Sequence, residues 1–562
     1  MSSFPHLLLL LLSFLSFHCR FVYGWDNGAA LTPPMGFANW NVFGCNYDDA
    51  LFREIADTFV STNLAAKGYE FMLVQECIVP LNARDPVTHI VQPDVNKFPH
   101  GLADLASYFH SLGLKAGIYT DVKSVTCATY EGSGPGPNRS SHWALDALTY
   151  AQWGFDMIEA DFCNGAGNNE TAFELYRDAR DAIAEATAAT GRVITFYACN
   201  WGAESPWEWG PQVANLFRNT GDICSPGHIE FSRILSNFDQ TVVHSSTPGA
   251  APGLPGTGIS GWNDPDMLGV GMDGITDTEG RSQFSLWCIL AAPLFLGTDV
   301  RNASIFTFDT IGNVEAIAID QDVLGIQGFE FVSGTRPTVL DGLTLVNITS
   351  CPPPTPTTWQ LFTDTHHIVA DDGGCLTILD CDTSSGAPVG TYACVNSACG
   401  NQNWTFNGLK TGGGQVESQG ATGMCLTSVD ASTAPYSDLI IAECAPGDDR
   451  QTWVVDASGT LSLLNMNQCT WLPSPPPVNI YVKPLAPIKG GAQPIAIAVL
   501  NRGDNALGPQ LINLADFGFA PAQLIVVRDI WADTTSKPIS AQYATRGIAS
   551  HETLLLVLTP VV

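Results

Sequence analysis

Between about residues 25 and 325 the chain alternates short apolar runs with longer stretches of helical period. The runs Met35–Trp40, Phe71–Gln75, Ala116–Asp121, Met157–Asp161, Val193–Cys199, Leu216–Asp222, Ile259–Asp266 and Pro293–Asp299 have the length of strands. Segments between them, such as GLADLASYFHSLGL and ETAFELYRDARDAIAEATAAT, place apolar residues three and four apart and predict helices. Strand–helix alternation across the whole region predicts a parallel sheet. Eight such units predict an α/β fold of the closed (β/α)8 kind rather than an open doubly wound sheet. Nearly every predicted strand ends in a polar group: Gln75 and Glu76, Asp121, Asp161, Asn200, Asp222, Asp266, Asp299. In a closed parallel barrel the reacting groups stand where the strands finish. In MIEAD the period of two sends Ile158 and Ala160 one way and Met157, Glu159 and Asp161 the other, so Asp161 is a carboxylate at a strand tip on the barrel side.

Past residue 350 the pattern changes. Pro-rich joints, CPPPTPTTW and WLPSPPPVN, bracket two related segments that open Cys-Leu-Thr and close Gln-x-Trp, at Gln402/Trp404 and Gln451/Trp453. Cys375 to Cys394 and Cys425 to Cys444 share one spacing. An internal repeat of this length predicts a modular all-β unit. From 478 onward, NIYVKPLA, PIAIAVLNRG and ETLLLVLTPVV predict an antiparallel sheet.

Bulk properties narrow the setting. A chain of 562 residues accommodates two to four domains. Its formal net charge of -31 repels nucleic acid and anionic membranes, which excludes polyanion binding. Residues 1–24 read as a secretory signal peptide, with an apolar stretch from Leu7 to Phe17 too short for a comfortable membrane span. Of 16 cysteines, Cys19 leaves with that segment, and the odd remainder predicts disulfides with at least one free thiol, for which buried Cys288 is the candidate. Sequons at Asn138, Asn169, Asn302, Asn347 and Asn403 predict glycosylation of a secreted or extracellular protein, with a vacuolar or lysosomal destination as the alternative. Cysteine and histidine spacing carries no zinc signature, so neither a metal nor a cofactor is implied.

The ordered series LTPPMGFANWNVFGC, FPHGLADLASYFHSLGLKAGIYTDVKSVTC, WGFDMIEADFC, CNWGAESPWEWG, FRNTGDI, GWNDPDML, AAPLFLGTDVR, NVEAIAIDQDVLGIQG and IYVKPLA resembles the retaining, melibiase-like α-galactosidases of glycoside hydrolase clan D. That family joins a (β/α)8 barrel to a C-terminal β-sandwich, and the resemblance implies hydrolysis of terminal α-D-galactosyl residues of oligo- or polysaccharides by double displacement. It puts Asp161 in the nucleophile position and Asp222, in FRNTGDI, in that of the acid/base. Arg218 and Asp266 match groups near the sugar 2-hydroxyl; Trp40, Tyr119 and Trp201 match aromatics that pack on the sugar. Asn200 stands where many relatives carry Glu. Cys45–Cys77 and Cys127–Cys163 match family disulfides.

The repeat region resembles ricin-type lectin β-trefoils and implies possible carbohydrate anchoring. The expected organisation is a signal peptide at 1–24, a barrel at 25–325, the start of the sandwich at 326–350, an inserted trefoil at 351–475 and the rest of the sandwich at 476–562. Two departures from these patterns bear on function. Where the family has Asp-Asp after the second strand this chain has Gln75-Glu76, and where it has Lys two residues before the nucleophile this chain has Glu159. The crowded carboxylates predict an acidic pH optimum. Glu76 is expected to intrude where a 6-hydroxymethyl group would lie, which resembles β-L-arabinopyranosidases and leaves that specificity, or a non-catalytic sugar-binding role, as alternatives. In the trefoil, Thr377 and Thr427 replace the ligand-binding Asp; Asn401 resembles a ligand-binding Asn, whereas Asp449 and Arg450 flank the second motif.

Overall fold

The computed structural model describes residue 25 and residues 27–561, apart from 137–139, 164–169, 247–260, 332–338, 341–342, 351–356, 364, 371–372, 395–398, 407–412, 430–438, 457–458, 467 and 472–477. The expected signal peptide and the sequons Asn138 and Asn169 lie outside the described residues. Asn302 is exposed, Asn403 is half-buried, and Asn347 lies in a strand.

Eight parallel strands form the barrel: β1 (Met35–Ala38), β2 (Phe71–Val74), β3 (Lys115–Asp121), β4 (Met157–Asp161), β5 (Thr195–Cys199), β6 (Leu216–Arg218), β7 (Trp262–Asp264) and β8 (Leu294–Leu296). They pair in the order β8-β1-β2-β3-β4-β5-β6-β7. Leu268, just past β7, closes the ring by donating to Phe295 O at 2.8 Å and accepting from Gly297 N at 2.8 Å. The alternation within each strand separates two cores. Ala38, Phe71, Leu73, Met157, Tyr197, Leu216, Trp262 and Phe295 fill the barrel. Phe37, Met72, Val74, Ile118, Ile158, Ala160, Phe196 and Phe217 face the helices outside. The helices carry sequence-specified ends: Thr171 with Glu174 and Thr276 with Glu279 form capping boxes that start Ala172–Thr190 and Asp277–Leu290.

Among the described residues of the segment 326–350, Phe329–Phe331 is the strand that joins the sandwich, as its edge paired with Val478–Pro484. The short strands within 339–350 pair inside the inserted sheets instead. Three Trp-led hairpins recur there: Trp359–Phe362 with His367–Ala370, Trp404–Phe406 with Val416–Ser418, and Trp453–Val455 with Leu461–Leu463. Each is matched by a Cys-bearing pair: Gly374–Ile378 with Val389–Ala393, Met424–Ser428 with Leu439–Glu443, and Gln468–Trp471 with Asn347–Ser350. The third repeat is therefore assembled from both ends of the insert. The three tryptophans are buried, and their indole N–H groups donate to Thr470 Oγ1 at 3.0 Å, Leu376 O at 2.8 Å and Leu426 O at 2.8 Å. Disulfides join Cys45–Cys77, Cys127–Cys163, Cys375–Cys394, Cys381–Cys399 and Cys425–Cys444. Cys199, Cys224 and Cys288 carry free thiols. The sandwich packs Tyr481, Leu485, Ala496, Ala498, Leu500 and Leu555 into the apolar core of the barrel helices, and a two-pronged Arg502–Asp239 pair at 2.9 and 2.5 Å adds a charged contact.

Candidate active site

The polar ends of β2 to β7 converge on one mouth of the barrel. The inward-facing residues of β3 and β4 run Tyr119, Asp121 and Glu159, Asp161, in register across the pair. Cys199 follows on β5 beside Asp161, and Arg218 on β6 beside Cys199. Asp161 is 9% exposed. Its Oδ2 accepts the Tyr119 hydroxyl at 2.6 Å and lies 3.0 Å from Cys127 Sγ. Its Oδ1 is buried and has no hydrogen-bond partner.

Arg218 links the two halves of the mouth. Its Nη2 donates to Asp222 Oδ1 at 3.0 Å and to Thr220 O at 3.0 Å, and lies 3.1 Å from Asp266 Oδ2. Its Nη1 lies 3.8 Å from Cys199 Sγ, and its Nε is buried without a partner. Asp222 sits in the loop after β6, 55% exposed, at the open side of the mouth. Asp266 is held rigidly: its Oδ2 accepts from Ile223 N at 2.7 Å and its Oδ1 from Met267 N at 2.7 Å, on a left-handed backbone with φ of 88°. Gln75 turns its amide by accepting from Trp40 N at 3.2 Å and donating to Glu159 Oε2 at 2.7 Å.

Burial dominates the electrostatics. It pushes Asp161 up to about 7; the Cys199 thiol and Tyr119 hydroxyl oppose the shift, and the charges of Asp222 and Glu76 add to it. Burial, then the charge of Asp161, raises Glu159 well above the usual carboxylate range. Burial also lifts Asp266 to about 7 against the pull of Arg218. Burial works against the charge on Arg218, but Asp266 and its other partners outweigh it and keep the guanidinium charged.

The residues Trp40, Gln75, Glu76, Tyr119, Glu159, Asp161, Arg218, Asp222 and Asp266 are thus joined by direct contacts or by their fields. Asn200 and Trp201 begin the loop after β5. The Asn200 amide donates to Ala203 O at 2.6 Å, and Trp201 is half-buried on a left-handed backbone with φ of 56°. Three groups were not singled out from the sequence: the Cys199 thiol beside Asp161, Thr126 beside Glu76, and the Tyr197–Asp264 pair at 2.5 Å. The period of two on β5 and β7 would have placed Tyr197, Cys199 and Asp264 inward. Glu159, Asp161 and Cys199 also bring ligand-type atoms within 4.8 Å of one another. Glu159 and Asp161 already serve Gln75 and Tyr119.

Residues 32–322 match the family model described as alpha galactosidase A, and residues 476–558 match the alpha galactosidase C-terminal β-sandwich domain. The α-galactosidase of Coffea arabica is 43% identical over 302 residues, which is 54% of this chain and 73% of that protein. Alpha-galactosidase A of Cellvibrio japonicus is 38% identical over 308 residues, 54% of this chain and 70% of that one. The chain belongs to the α-galactosidase family of glycoside hydrolases. Between the enzyme's barrel and sandwich matches, residues 364–476 match the ricin-type β-trefoil lectin domain. The solved α-galactosidase I of Mortierella vinacea superposes with a TM-score of 0.59 at 21% identity, covering 95% of this chain and 98% of that one. A GH27 β-L-arabinopyranosidase of Geobacillus stearothermophilus does so at 0.55 and 17%, covering 95% and 97%. These two likenesses establish the fold of the enzyme.

Proposed function

We propose that the enzyme releases terminal α-D-galactosyl residues from oligo- or polysaccharides with retention, with Asp161 as nucleophile and Asp222 as acid/base. Asp161 Oδ1 attacks the anomeric carbon while the Asp222 carboxyl gives its proton to the departing glycosidic oxygen, leaving a covalent galactosyl-enzyme. Asp222 then takes a proton from water, and that water displaces Asp161 and restores both carboxyls. The observation that carries this reading is the unpartnered Oδ1 of Asp161. It is a buried carboxylate oxygen, at a strand tip, that no protein donor satisfies. Arg218, bonded to Asp222 and Asp266, places positive charge beside the acids and a buried, unused Nε–H toward which a sugar hydroxyl can turn.

A fluorinated mechanism-based galactoside tests the assignment. Digestion and mass spectrometry should find the label on Asp161; a label on another residue, or none with a turning-over enzyme, rejects it. Comparing chromogenic α-D-galactopyranoside and β-L-arabinopyranoside substrates then separates the two sugars.

The disulfides support an extracellular or vacuolar setting. No helix among the described residues is long and apolar enough to cross a membrane. In the trefoil, Thr377 and Thr427 are committed internally. Each hydroxyl donates to the carbonyl of the cysteine two residues before it, and accepts from Gln402 Nε2 or Gln451 Nε2 at 3.0 Å. We infer that these two positions serve packing, and that the module's contribution to glycan capture there is small.

A further inference from the structure

Glu76 does not behave as a residue waiting for a sugar. It is 3% exposed, and its backbone and that of Cys77 are left-handed, with φ of 47° and 53°. Its Oε1 accepts from Ala128 N at 2.9 Å and lies 3.0 Å from the Tyr119 hydroxyl. Its Oε2 accepts from Cys77 N at 3.1 Å and Thr126 Oγ1 at 2.9 Å. Its main-chain oxygen receives the Tyr47 hydroxyl. A carboxylate offers about four acceptor positions, and all of them face protein groups here. A sugar hydroxyl could bind only by displacing one of these partners, and a buried donor left unpaired is costly.

The donors have a common feature. Thr126 and Ala128 are the two neighbours of Cys127, whose Sγ lies 3.0 Å from the Asp161 carboxylate. Cys77 belongs to the second disulfide of the mouth. Tyr119 places its single hydroxyl proton between Glu76 and Asp161, with the shorter distance to Asp161. On the other side of the bridge, Cys163 N donates to Asp121 Oδ2 at 2.8 Å. The Cys127–Cys163 bridge is therefore fixed at one end by Glu76 and at the other by Asp121, and it lies against Asp161 Oδ2. The Tyr119 hydroxyl and the Cys127 sulfur that meet Oδ2 are held through these two acids, and Oδ1 is the oxygen left without a hydrogen-bond partner.

We propose that Glu76 is a positioning residue for the nucleophile, which clamps the 126–128 turn and Tyr119 so that Asp161 presents Oδ1 to the anomeric carbon, and is not a reader of the sugar. The proposal rests on the reading of Asp161 as nucleophile. It also revises what the sequence suggests, because a side chain occupied by protein donors cannot itself distinguish a galactoside from a sugar lacking the 6-hydroxymethyl group.

The test is Glu76→Gln in the full-length enzyme. The amide keeps the size but turns an NH2 toward N–H and O–H donors. The expected result is a fall in kcat of tenfold or more, with KM and the inhibition constant of free galactose within threefold of wild type. The loss should be the same, within threefold, on p-nitrophenyl α-D-galactopyranoside and p-nitrophenyl β-L-arabinopyranoside. Thr126→Val, which removes one clamp donor without touching the carboxylate, should show the same kcat-selective pattern more weakly, and it decides the matter if Glu76→Gln does not fold. A raised KM and weakened galactose inhibition with kcat retained, or a loss confined to the galactoside, overturns the proposal. Failure of the fluorinated galactoside to label wild-type Asp161 would instead remove the reading beneath it.

Discussion

Asp161 and Glu159 share one face of one short strand, and their proximity sets how the site must respond to pH. A working retaining pair holds one proton between two carboxyls, and its alkaline limb follows the upper of its two apparent pKa values, whichever group carries it. Burial lifts Asp161 to about 7. A raised carboxyl keeps its proton up to that pH, so the singly protonated pair is lost as pH climbs through about 7. The expected profile of kcat/KM peaks below 7 and falls above it; a peak on the alkaline side contradicts the site. Glu159 enters the same profile as a test of charge. Burial raises it and so favours its neutral form, and Glu159→Gln puts in its place an amide that can still accept from Gln75 Nε2 and donate with its own NH2. The alkaline limb should stay within about 0.3 units of its place in this variant. An ionised Glu159 would repel a second negative charge on Asp161, and its removal would shift the limb to lower pH by roughly a unit or more.

At the scale of the strand, one rule carries most of what the sequence made legible. The alternation that buries Met157 inside the barrel and Ile158 and Ala160 outside also sends Glu159 and Asp161 to the mouth. The same rule covers Leu216 with Arg218 and Trp262 with Asp264. Pairwise geometry at the strand ends was not legible, because it depends on turns whose backbone is left-handed, at Glu76, Cys77, Trp201 and Asp266. That is why Glu76 reads as a sugar contact from its neighbours in the chain and as a clamp from its neighbours in space. The close approach of β1 and β2 is another feature that only spatial neighbours reveal. A Cβ on Gly36 would stand 2.3 Å from Phe71 O and 2.7 Å from Phe71 Cβ, where paired main chain cannot yield. Gly36→Ala should destabilise the barrel by about 1–3 kcal/mol. In a thermal scan each kcal/mol corresponds to about 2–4 °C in a large domain. An unchanged midpoint would mean that β1 and β2 are further apart than this register allows.

At the scale of the whole molecule, the trefoil is a loop insertion with its own closure. It leaves the sandwich after Phe331 and returns at Val478, on two strands that pair antiparallel from Phe329↔Val482 to Phe331↔Ile480. Opposed residues in such a pair are only about 5 Å apart, so the module hangs from a hairpin. Its own ends, Asn347–Ser350 and Gln468–Trp471, pair with each other to make the third repeat, so its core is complete without the sandwich. The sequence showed two repeats because the third is split between the two termini of the insert, where neither half resembles a whole unit. Replacing residues 333–477 with a four-residue Gly/Asn turn should therefore restore a simple hairpin and leave the barrel mouth untouched. The shortened enzyme should retain kcat/KM within about twofold on a small chromogenic α-galactoside, since no group named at the mouth comes from the insert. It should also retain most of its activity on a galactose-bearing polysaccharide, because Thr377 and Thr427 are already engaged by Gln402 and Gln451. A selective loss on the polysaccharide would show that a face of the trefoil other than these two positions captures glycan, whereas a loss on both substrates would mean that the insert supports the sandwich through more than the hairpin it extends.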